Sequence, residues 1–294
     1  MSDLRTQTVD RPRNRPRPYR LVYRQNAATR LTHWVWAISF LFLLMSGLQI
    51  FNARPVLYVG SQSGFQFDNA ILTIEAEDTK NGPVGKTTVL GRAFDTDGIL
   101  GASRQHGQQT ERGFPSWATL PNSTDLATGR IIHFFFAWIL VGTLLVWLLF
   151  SIFNGHLKSD VVPTTFDLRN LPRDLVEHFK LRFDSGGRYN PLQKITYAIV
   201  LLVIFPLLVA TGLSMSPGID AVAPWLLDIF GGRQTARTIH FLTMTLLVIF
   251  VFIHLVMVLA AGPINELRSM TTGWYRTRKA AAEANSTSSL GSEK

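Results

Sequence analysis

The sequence contains no cysteine, and that absence excludes several kinds of chemistry. Disulfides, cysteine-ligated zinc, iron–sulfur clusters and thioether-attached haem all require cysteine. Charged residues are also scarce, at 17%, against roughly 25% in average soluble domains. The net charge is nevertheless +9. Because the basic residues are absent from long stretches rather than spread over one face, we expect no nucleic-acid partner.

Four stretches of the chain contain no Asp, Glu, Lys or Arg. They are residues 31–51, 131–153, 195–215 and 239–261, each 21 to 23 residues long. A helix needs about 20 residues to cross the apolar core of a bilayer. The sequence therefore predicts an all-α membrane protein, a bundle of four transmembrane helices, with a large external loop between the first two helices.

The distribution of charge predicts the orientation of the chain. Residues 1–30, 154–194 and 262–294 share one side of the membrane and carry 20 basic and 10 acidic residues, whereas 52–130 and 216–238 carry 9 and 10. The positive-inside rule then places both termini in the cytoplasm of a bacterial inner membrane. We expect residues 1–30 to form a basic arm near anionic lipid, 31–275 the membrane domain and 276–294 a disordered tail.

Two segments outside the membrane have features of their own. The external insertion, residues 52–130, contains strand-like pieces at 70–74 and 87–90 and an apolar, proline-bounded piece at 114–121. Long loops are uncommon unless they are functional, so we expect a small cap or docking surface. On the inner side, residues 171–183 are predicted to form an amphipathic helix capped by Asn170, with Pro172 in its first turn.

Four of the seven histidines lie inside the uncharged runs. His240 and His254 are 14 residues apart on one predicted helix, so they share a face and lie about 21 Å apart along the axis. By depth, His133 pairs with His240 at the outer side and His33 with His254 at the inner side. A lone membrane histidine is commonly a hydrogen-bonded interior residue. Two pairs at matched depth instead predict bis-imidazole ligation of two haems, a di-haem core.

Further residues are candidates for contacts with these cofactors. Gly47 and Gly212 lie near the outer ends of the first and third predicted helices, where a missing side chain could admit a ring; ordinary helix packing explains each one equally well. The pattern Arg-x-x-His-aromatic occurs three times, beginning at Arg30, Arg130 and Arg237. Each arginine lies one turn outside its histidine, where it could pair with a haem propionate or serve only as an interface anchor.

The inner start of the third predicted helix carries polar residues that could hold a quinone head group. They are Tyr189, Asn190, Gln193 and Lys194. A quinone needs a flat apolar slot, one or two polar contacts and a route for protons. The alternative is a helix start with interface anchors, because polar residues commonly begin helices.

Several stretches resemble a known family. FNARP at 51–55, GFPSWATLP at 113–121, the DLATGR and HFFFAW pieces within 125–138, RYNPLQK at 188–194 and GGRQTARTIHF at 231–241 are similar to prokaryotic b-type cytochromes of membrane oxidoreductases. That family includes the cytochrome b subunit of nickel hydrogenase and the gamma subunit of respiratory formate dehydrogenase. The similarity spans roughly residues 20–275 and is greatest to the thiosulfate-reductase-type cytochrome b branch.

The resemblance implies two b-type haems, paired as above, and electron exchange between quinone and a partner protein. Residues 189–194 resemble the quinone-site sequence of formate dehydrogenase, although Pro191 departs from that pattern. Members of this branch are associated with an external molybdopterin oxidoreductase, which would dock on the insertion.

Three functional hypotheses remain open from the sequence. The first is an electron-transfer subunit, which the large insertion favours. The second is a self-contained haem oxidoreductase that passes electrons from a small external reductant such as superoxide to quinone, with Arg130 and Arg237 attracting the anion. The third is a histidine-lined metal transporter, which the absence of Asp and Glu from the four runs disfavours.

Overall fold

The structure is a computed structural model that describes residues 19–64, 66–80, 82–105, 108–155, 157, 161–179 and 191–278. The chain divides into two compact units, one formed by residues 1–30 and 262–294 and the other by 31–261. The helices of the described residues are α1 Ala27–Asn52, α2 Leu126–Phe153, α3 Thr165–Phe179, α4 Pro191–Ser214, α5 Pro217–Val222, α6 Trp225–Ile229, α7 Arg233–Ala261 and α8 Pro263–Thr272. The strands are β1 Tyr19–Tyr23, β2 Val56–Tyr58, β3 Ala70–Thr79, β4 Gly82–Val89, β5 Arg92–Asp95, β6 Gly101–Gln105, β7 Gln108–Arg112 and β8 Trp274–Arg278.

Four helices are long and apolar enough to cross a membrane, and they contain the four uncharged runs apart from Met215. They are α1, α2, α4 and α7, with 26, 28, 24 and 29 residues. The four predicted membrane helices are therefore confirmed in length and composition. Each begins before its uncharged run, because polar residues continue the helix beyond the apolar segment.

Burial within the spans places small polar residues inside and large apolar residues outside. The buried hydroxyl side chains include Ser39, Ser46, Ser151, Thr211 and Ser214. The exposed side chains of the same helices include Ile38, Phe135, Val146, Phe252 and Leu259. This distribution is typical of membrane helices, which expose apolar side chains to lipid and approach one another closely through small residues.

The helix α4 contains a π-helical segment, Val200–Ile204, immediately before Phe205 and Pro206. A proline has no N–H to donate and its ring clashes with the preceding turn, so the helix accommodates it by widening locally. Val200, Ile204 and Phe205 pack with Leu247 of α7 in one buried cluster. The cluster also contacts apolar residues of the other two spans, Trp36 and Phe40 of α1 and Leu144 of α2.

The external insertion is a β structure, so the predicted all-α class is wrong for this segment. Strands β2 to β5 form an antiparallel sheet in chain order, and β6 and β7 form a hairpin. The two strand-like pieces predicted from the sequence lie in β3 and β4, except that Leu90 falls in the turn after β4. Sequences rich in Thr, Val and Ile favour strands, and the local pairing decides their length.

The insertion is attached to the ends of two membrane helices that the charge distribution predicts to be the outer ends. The amide of Asn52 at the end of α1 bonds the backbone of Phe114 in both directions, at 3.1 Å and 2.6 Å. Thr238 near the start of α7 donates to the Tyr58 carbonyl at 2.7 Å. Where the insertion contacts the bundle, Leu57 and Ile74 are buried in a cluster with Phe51 of α1. The insertion is thus an ordered unit packed against the bundle.

The predicted inner helix over 171–183 begins earlier than expected. Helix α3 starts at Thr165 and ends at Phe179, so Asn170 and Pro172 lie within it rather than at its start. Thr164 and Asp167 cap it reciprocally, because the Thr164 N–H donates to the Asp167 carboxylate at 2.7 Å and the Asp167 N–H to the Thr164 hydroxyl at 3.3 Å. This capping box is the start signal that the sequence prediction missed. Residues 180–183 lie outside the described residues.

The smaller unit pairs the two ends of the described chain. Strand β1 pairs antiparallel with β8, from Tyr19 opposite Arg278 to Tyr23 opposite Trp274. Arg24 and Glu266 form an ion pair at 3.9 Å. Residues 276–278, predicted as the start of a disordered tail, therefore belong to a strand, and part of the predicted basic arm is a strand and a helix start. Residues 1–18 and 279–294 lie outside the described residues.

Candidate functional site

The inner pair of histidines is brought together by α1 and α7. The ring centroids of His33 and His254 are 6.4 Å apart, with an angle of 55° between the rings. Two imidazoles that bind one metal through nitrogen, with bonds of about 2 Å, have centroids about 6 Å apart. The Nδ1 atom of His33 is buried without a hydrogen-bond partner, and Phe250 stacks on His254 with centroids 5.8 Å apart. The spacing of the inner pair therefore fits bis-imidazole ligation.

The outer histidine of α2 contacts a serine and a glycine of α1. The Nδ1 atom of His133 lies 3.1 Å from the Ser46 hydroxyl oxygen. That hydroxyl donates its hydrogen to the Phe42 carbonyl of its own helix at 2.5 Å. A hydroxyl has one hydrogen, and if that hydrogen stays with the carbonyl, the serine oxygen can accept from an Nδ1–H, which would leave Nε2 without hydrogen and able to bind a metal.

The outer histidine of α7 has the same environment, supplied by α4. The Nδ1 atom of His240 lies 3.0 Å from the Thr211 hydroxyl oxygen, and that hydroxyl donates to the Leu207 carbonyl at 2.6 Å. Each outer imidazole thus has a hydroxyl oxygen within hydrogen-bond distance of Nδ1, an arrangement that suits the tautomer with Nε2 available.

The two predicted glycines lie against imidazoles. A Cβ atom on Gly47 would lie 3.3 Å from Cε1 of His133, and one on Gly212 would lie 3.5 Å from Cε1 of His240. A Cβ on Gly142, in the middle of α2, would meet nothing within 4 Å. Gly47 and Gly212 therefore clear space for the histidine rings, which is a more specific role than general helix packing.

The three arginines of the repeated pattern have different surroundings. Arg237 is half-buried, donates to the Arg54 carbonyl at 2.5 Å and lies over the Phe51 ring at 5.2 Å. Arg130 is exposed and lies 5.9 Å from the ring of Phe134. Arg30 donates to the Thr271 carbonyl at 2.6 Å within the smaller unit. Arg237 thus connects α7 to the start of the insertion. Arg130 is the most exposed of the three arginines.

Half of the predicted quinone residues can be placed. Tyr189 and Asn190 lie outside the described residues. Gln193 and Lys194 lie in the first turn of α4, which begins at Pro191, four residues before the predicted start. Lys194 forms an ion pair with Asp167 of α3 at 3.3 Å, and both side chains are almost buried.

One buried arginine was missed by the sequence analysis. Arg112, at the end of β7, is 7% exposed. Its guanidinium donates to the Gln49 amide oxygen at 2.5 Å, the Thr119 hydroxyl at 3.2 Å and the Asn122 carbonyl at 2.6 Å. Burial lowers the pKa of Arg112 from its ordinary value. Ser46 and Thr211 were missed as well, although each directly precedes a glycine and a leucine, a repeat visible in the sequence.

Four membrane-length helices that carry four histidines, two of them 6.4 Å apart at their ring centroids, are typical of one class of protein, the membrane-embedded b-type cytochromes. The family model described as prokaryotic cytochrome b561 matches residues 24–273. The chain belongs to the prokaryotic cytochrome b561 family and is a membrane protein that binds b-type haem. The predicted b-type cytochrome family is therefore confirmed, and the thiosulfate-reductase-type branch stays a prediction.

The chain is also similar to a curated protein of Azospira oryzae, whose description reads "Putative protein-methionine-sulfoxide reductase subunit YedZ1". The two are 27% identical over 231 residues, which cover 78% of this chain and 86% of the relative. No solved structure matches the chain at a significant level.

Proposed function

We propose that this protein is a di-haem cytochrome subunit that transfers electrons across the bacterial inner membrane between quinone and an external oxidoreductase. Four histidines would hold the cofactors: His33 with His254 at the inner side and His133 with His240 at the outer side. When bound, the two haems supply one-electron carriers at two depths of the bilayer.

The observation that carries this proposal is the geometry of the inner pair. Two half-buried imidazoles on different membrane helices, 6.4 Å apart at their centroids, have the separation that a shared metal requires, about 6 Å. The hydroxyl-bound Nδ1 atoms of the outer pair support the same role, because each leaves Nε2 as a free ligand. Among the described residues no group of three or more His, Asp or Glu could bind a metal.

The outer partner is inferred from the insertion and the relative. An ordered β unit packed on the outer ends of α1 and α7 gives a surface that a partner protein could recognise. Residues of this surface with large exposed apolar side chains include Phe67, Leu90, Phe94 and Ile99. The relative is described as a subunit of a reductase. We therefore propose a periplasmic oxidoreductase partner, and the family resemblance favours a molybdopterin enzyme.

The inner end is the proposed quinone site, with Tyr189, Asn190, Gln193 and Lys194 as its polar residues. The ion pair between Lys194 and Asp167 would fix the lysine beside the start of α4 and could exchange a proton with a bound head group. The excess of basic residues on the inner segments supports the cytoplasmic location of both termini.

The haem content of histidine variants tests the ligand assignment. We expect two haems per chain in the wild type and one in His254→Ala and in His240→Ala, with quinone reactivity lost in His254→Ala. His178→Ala, a histidine outside the four spans, is the matched control and should retain both haems. Two haems in either ligand variant would contradict the pairing.

Purification from native membranes separates the two haem hypotheses. An electron-transfer subunit should co-purify with an external oxidoreductase with which it exchanges electrons. A cytochrome that oxidises superoxide unaided at a rate matching its quinone reduction would instead favour the self-contained enzyme, with Arg130 as the exposed guanidinium near the outer pair.

A further inference from the structure

We propose that the hydroxyls of Ser46 and Thr211 are positioning residues that fix the outer histidines and lower the reduction potential of the outer haem. The inference rests on the proposed function, because it assigns roles around ligands that the function requires. Neither hydroxyl would touch the iron, and each acts through one imidazole.

The direction of each hydrogen bond follows from the count of hydrogens. Ser46 has carbonyls of its own helix at 2.5 Å and 3.4 Å, from Phe42 and Leu43. Thr211 has them at 2.6 Å and 3.2 Å, from Leu207 and Leu208. The nearer carbonyl is 2.5–2.6 Å away in both cases, and this short contact favours donation of the single hydroxyl hydrogen to the hydroxyl's own helix. With the hydrogen placed there, the hydroxyl oxygen accepts from the neighbouring imidazole, protonated at Nδ1.

The same contact, a hydroxyl and the next residue's glycine against one imidazole, occurs on both α1 and α4, and this repetition argues against a chance contact. Ser46 is followed by Gly47, and Thr211 by Gly212; each hydroxyl accepts from Nδ1 while the adjacent glycine clears Cε1 of the same ring. The hydroxyl fixes the tautomer, and the glycine allows the ring to approach the helix. Ser46 and Thr211 are both completely buried, so water does not compete for these bonds.

At the inner pair, His33 has no hydroxyl partner at its Nδ1 atom. The Nδ1 atom of His33 is buried without a hydrogen-bond partner. A metal-bound imidazole that donates through its other nitrogen is a more basic ligand than one that does not. A more basic ligand stabilises the oxidised metal, so the hydroxyls shift the outer haem toward lower potential.

The test separates the hydroxyl from the shape of the side chain. Thr211→Val removes the hydroxyl and keeps the volume, whereas Thr211→Ser keeps the hydroxyl and removes a methyl group. Full-length protein is purified, its haem content is measured, and both haems are titrated spectroscopically against ambient potential. At a fixed ambient potential we expect Thr211→Val to raise the reduced-to-oxidised ratio of one haem about three- to tenfold; tenfold corresponds to 59 mV.

Ser46→Ala should shift the same haem in the same direction. Ser39→Ala is the matched control, because Ser39 is on the same helix, is 1% exposed and has no hydrogen-bond partner for its hydroxyl. Thr211→Ser and Ser39→Ala should leave both potentials unchanged. If Thr211→Val loses one haem while Thr211→Ser retains both, the hydroxyl is again the determinant.

Three results would overturn the inference. They are unchanged potentials in Thr211→Val with both haems bound, an equal effect in Thr211→Ser and Thr211→Val, and a shift in Ser39→Ala as large as that in Ser46→Ala. A wild type without two haems would instead refute the proposed function, so the two failures are distinguishable.

Discussion

Some buried hydroxyl side chains of the membrane helices contact a histidine of another helix and others do not, and composition alone does not distinguish the two kinds. Ser39 and Ser46 lie on the same face of α1, about two turns apart, and both are buried. Of these two serines, Ser46 is the one that contacts a histidine of another helix. The histidines were predictable because an ionisable residue in an uncharged run is rare. The serine and threonine that contact these histidines were not predictable from the sequence. Any serine or threonine in a membrane helix can donate a hydrogen bond to a carbonyl of its own helix, so its presence does not indicate a second contact.

Gly47 is predicted to be the less tolerant of the two glycines beside the outer histidines. In Gly47→Ala the new Cβ would lie 3.3 Å from His133, so the ring must move by a few tenths of an ångström, whereas Gly212→Ala creates an ordinary contact of 3.5 Å. We expect Gly47→Ala to lower haem content below two per chain or to shift the spectrum of the outer haem. Gly142→Ala, in open space on α2, is the control. Equal haem content and spectra in all three variants would contradict this role.

At the scale of elements, the sequence predicted where the four membrane helices lie but not how they begin. The first apolar residue of a run is a poor guide to a helix start, because the caps lie outside the run. Asp125 illustrates this: its carboxylate accepts the Thr128 N–H at 3.0 Å and begins α2 five residues before the uncharged segment. Hydrogen bonds from Thr128 hold the pKa of this carboxyl below its ordinary value.

The capping box of α3 is predicted to make stability depend on pH. The Thr164 N–H bond and the charge of Lys194 lower the pKa of Asp167 below its ordinary 3.8. A carboxylate with a lowered pKa stabilises the folded state above pH 3.8, and this contribution disappears as pH falls through the folded-state value. We expect Asp167→Asn to lower the thermal midpoint by about 2–6 °C at pH 7.

The difference between Asp167→Asn and the wild type should shrink as the pH falls from 3.8 through the lower folded-state pKa of Asp167, because the folded wild-type carboxylate then becomes protonated as well. Asp68→Asn, which changes an exposed carboxylate of the insertion, should have little effect at either pH. A constant difference across this range would show that the charge of Asp167 is not what stabilises α3 on α4.

For the whole molecule, the largest departure from the sequence prediction is the folded insertion. Two strand-like pieces were visible, but the sheet also uses Val56–Tyr58 and Arg92–Asp95, which are too short to stand out alone. Their pairing depends on contacts between distant segments. Gly101, with φ of +81°, lies so close to the Glu75 carbonyl that no Cβ would fit, and that close approach has no local sequence signal. The packing of the insertion against the membrane helices likewise could not be predicted from the sequence.

The orientation of the chain can be tested directly because it has no native cysteine. Single cysteines are introduced as Lys80→Cys in the insertion and Ser288→Cys near the C-terminus. In intact spheroplasts we expect an impermeant maleimide to label the first variant and not the second, with both labelled after lysis. Labelling of Ser288→Cys alone before lysis would reverse the topology and the positions of the proposed partner and quinone sites.

The central claim, that one chain holds two b-type haems through four membrane histidines, is tested most directly by the haem-to-protein ratio of the purified wild type together with its reduced-minus-oxidised spectrum. We predict two haems per chain, a b-type α band and two separable potentials. A ratio of one or zero, or the absence of the α band, would contradict the account.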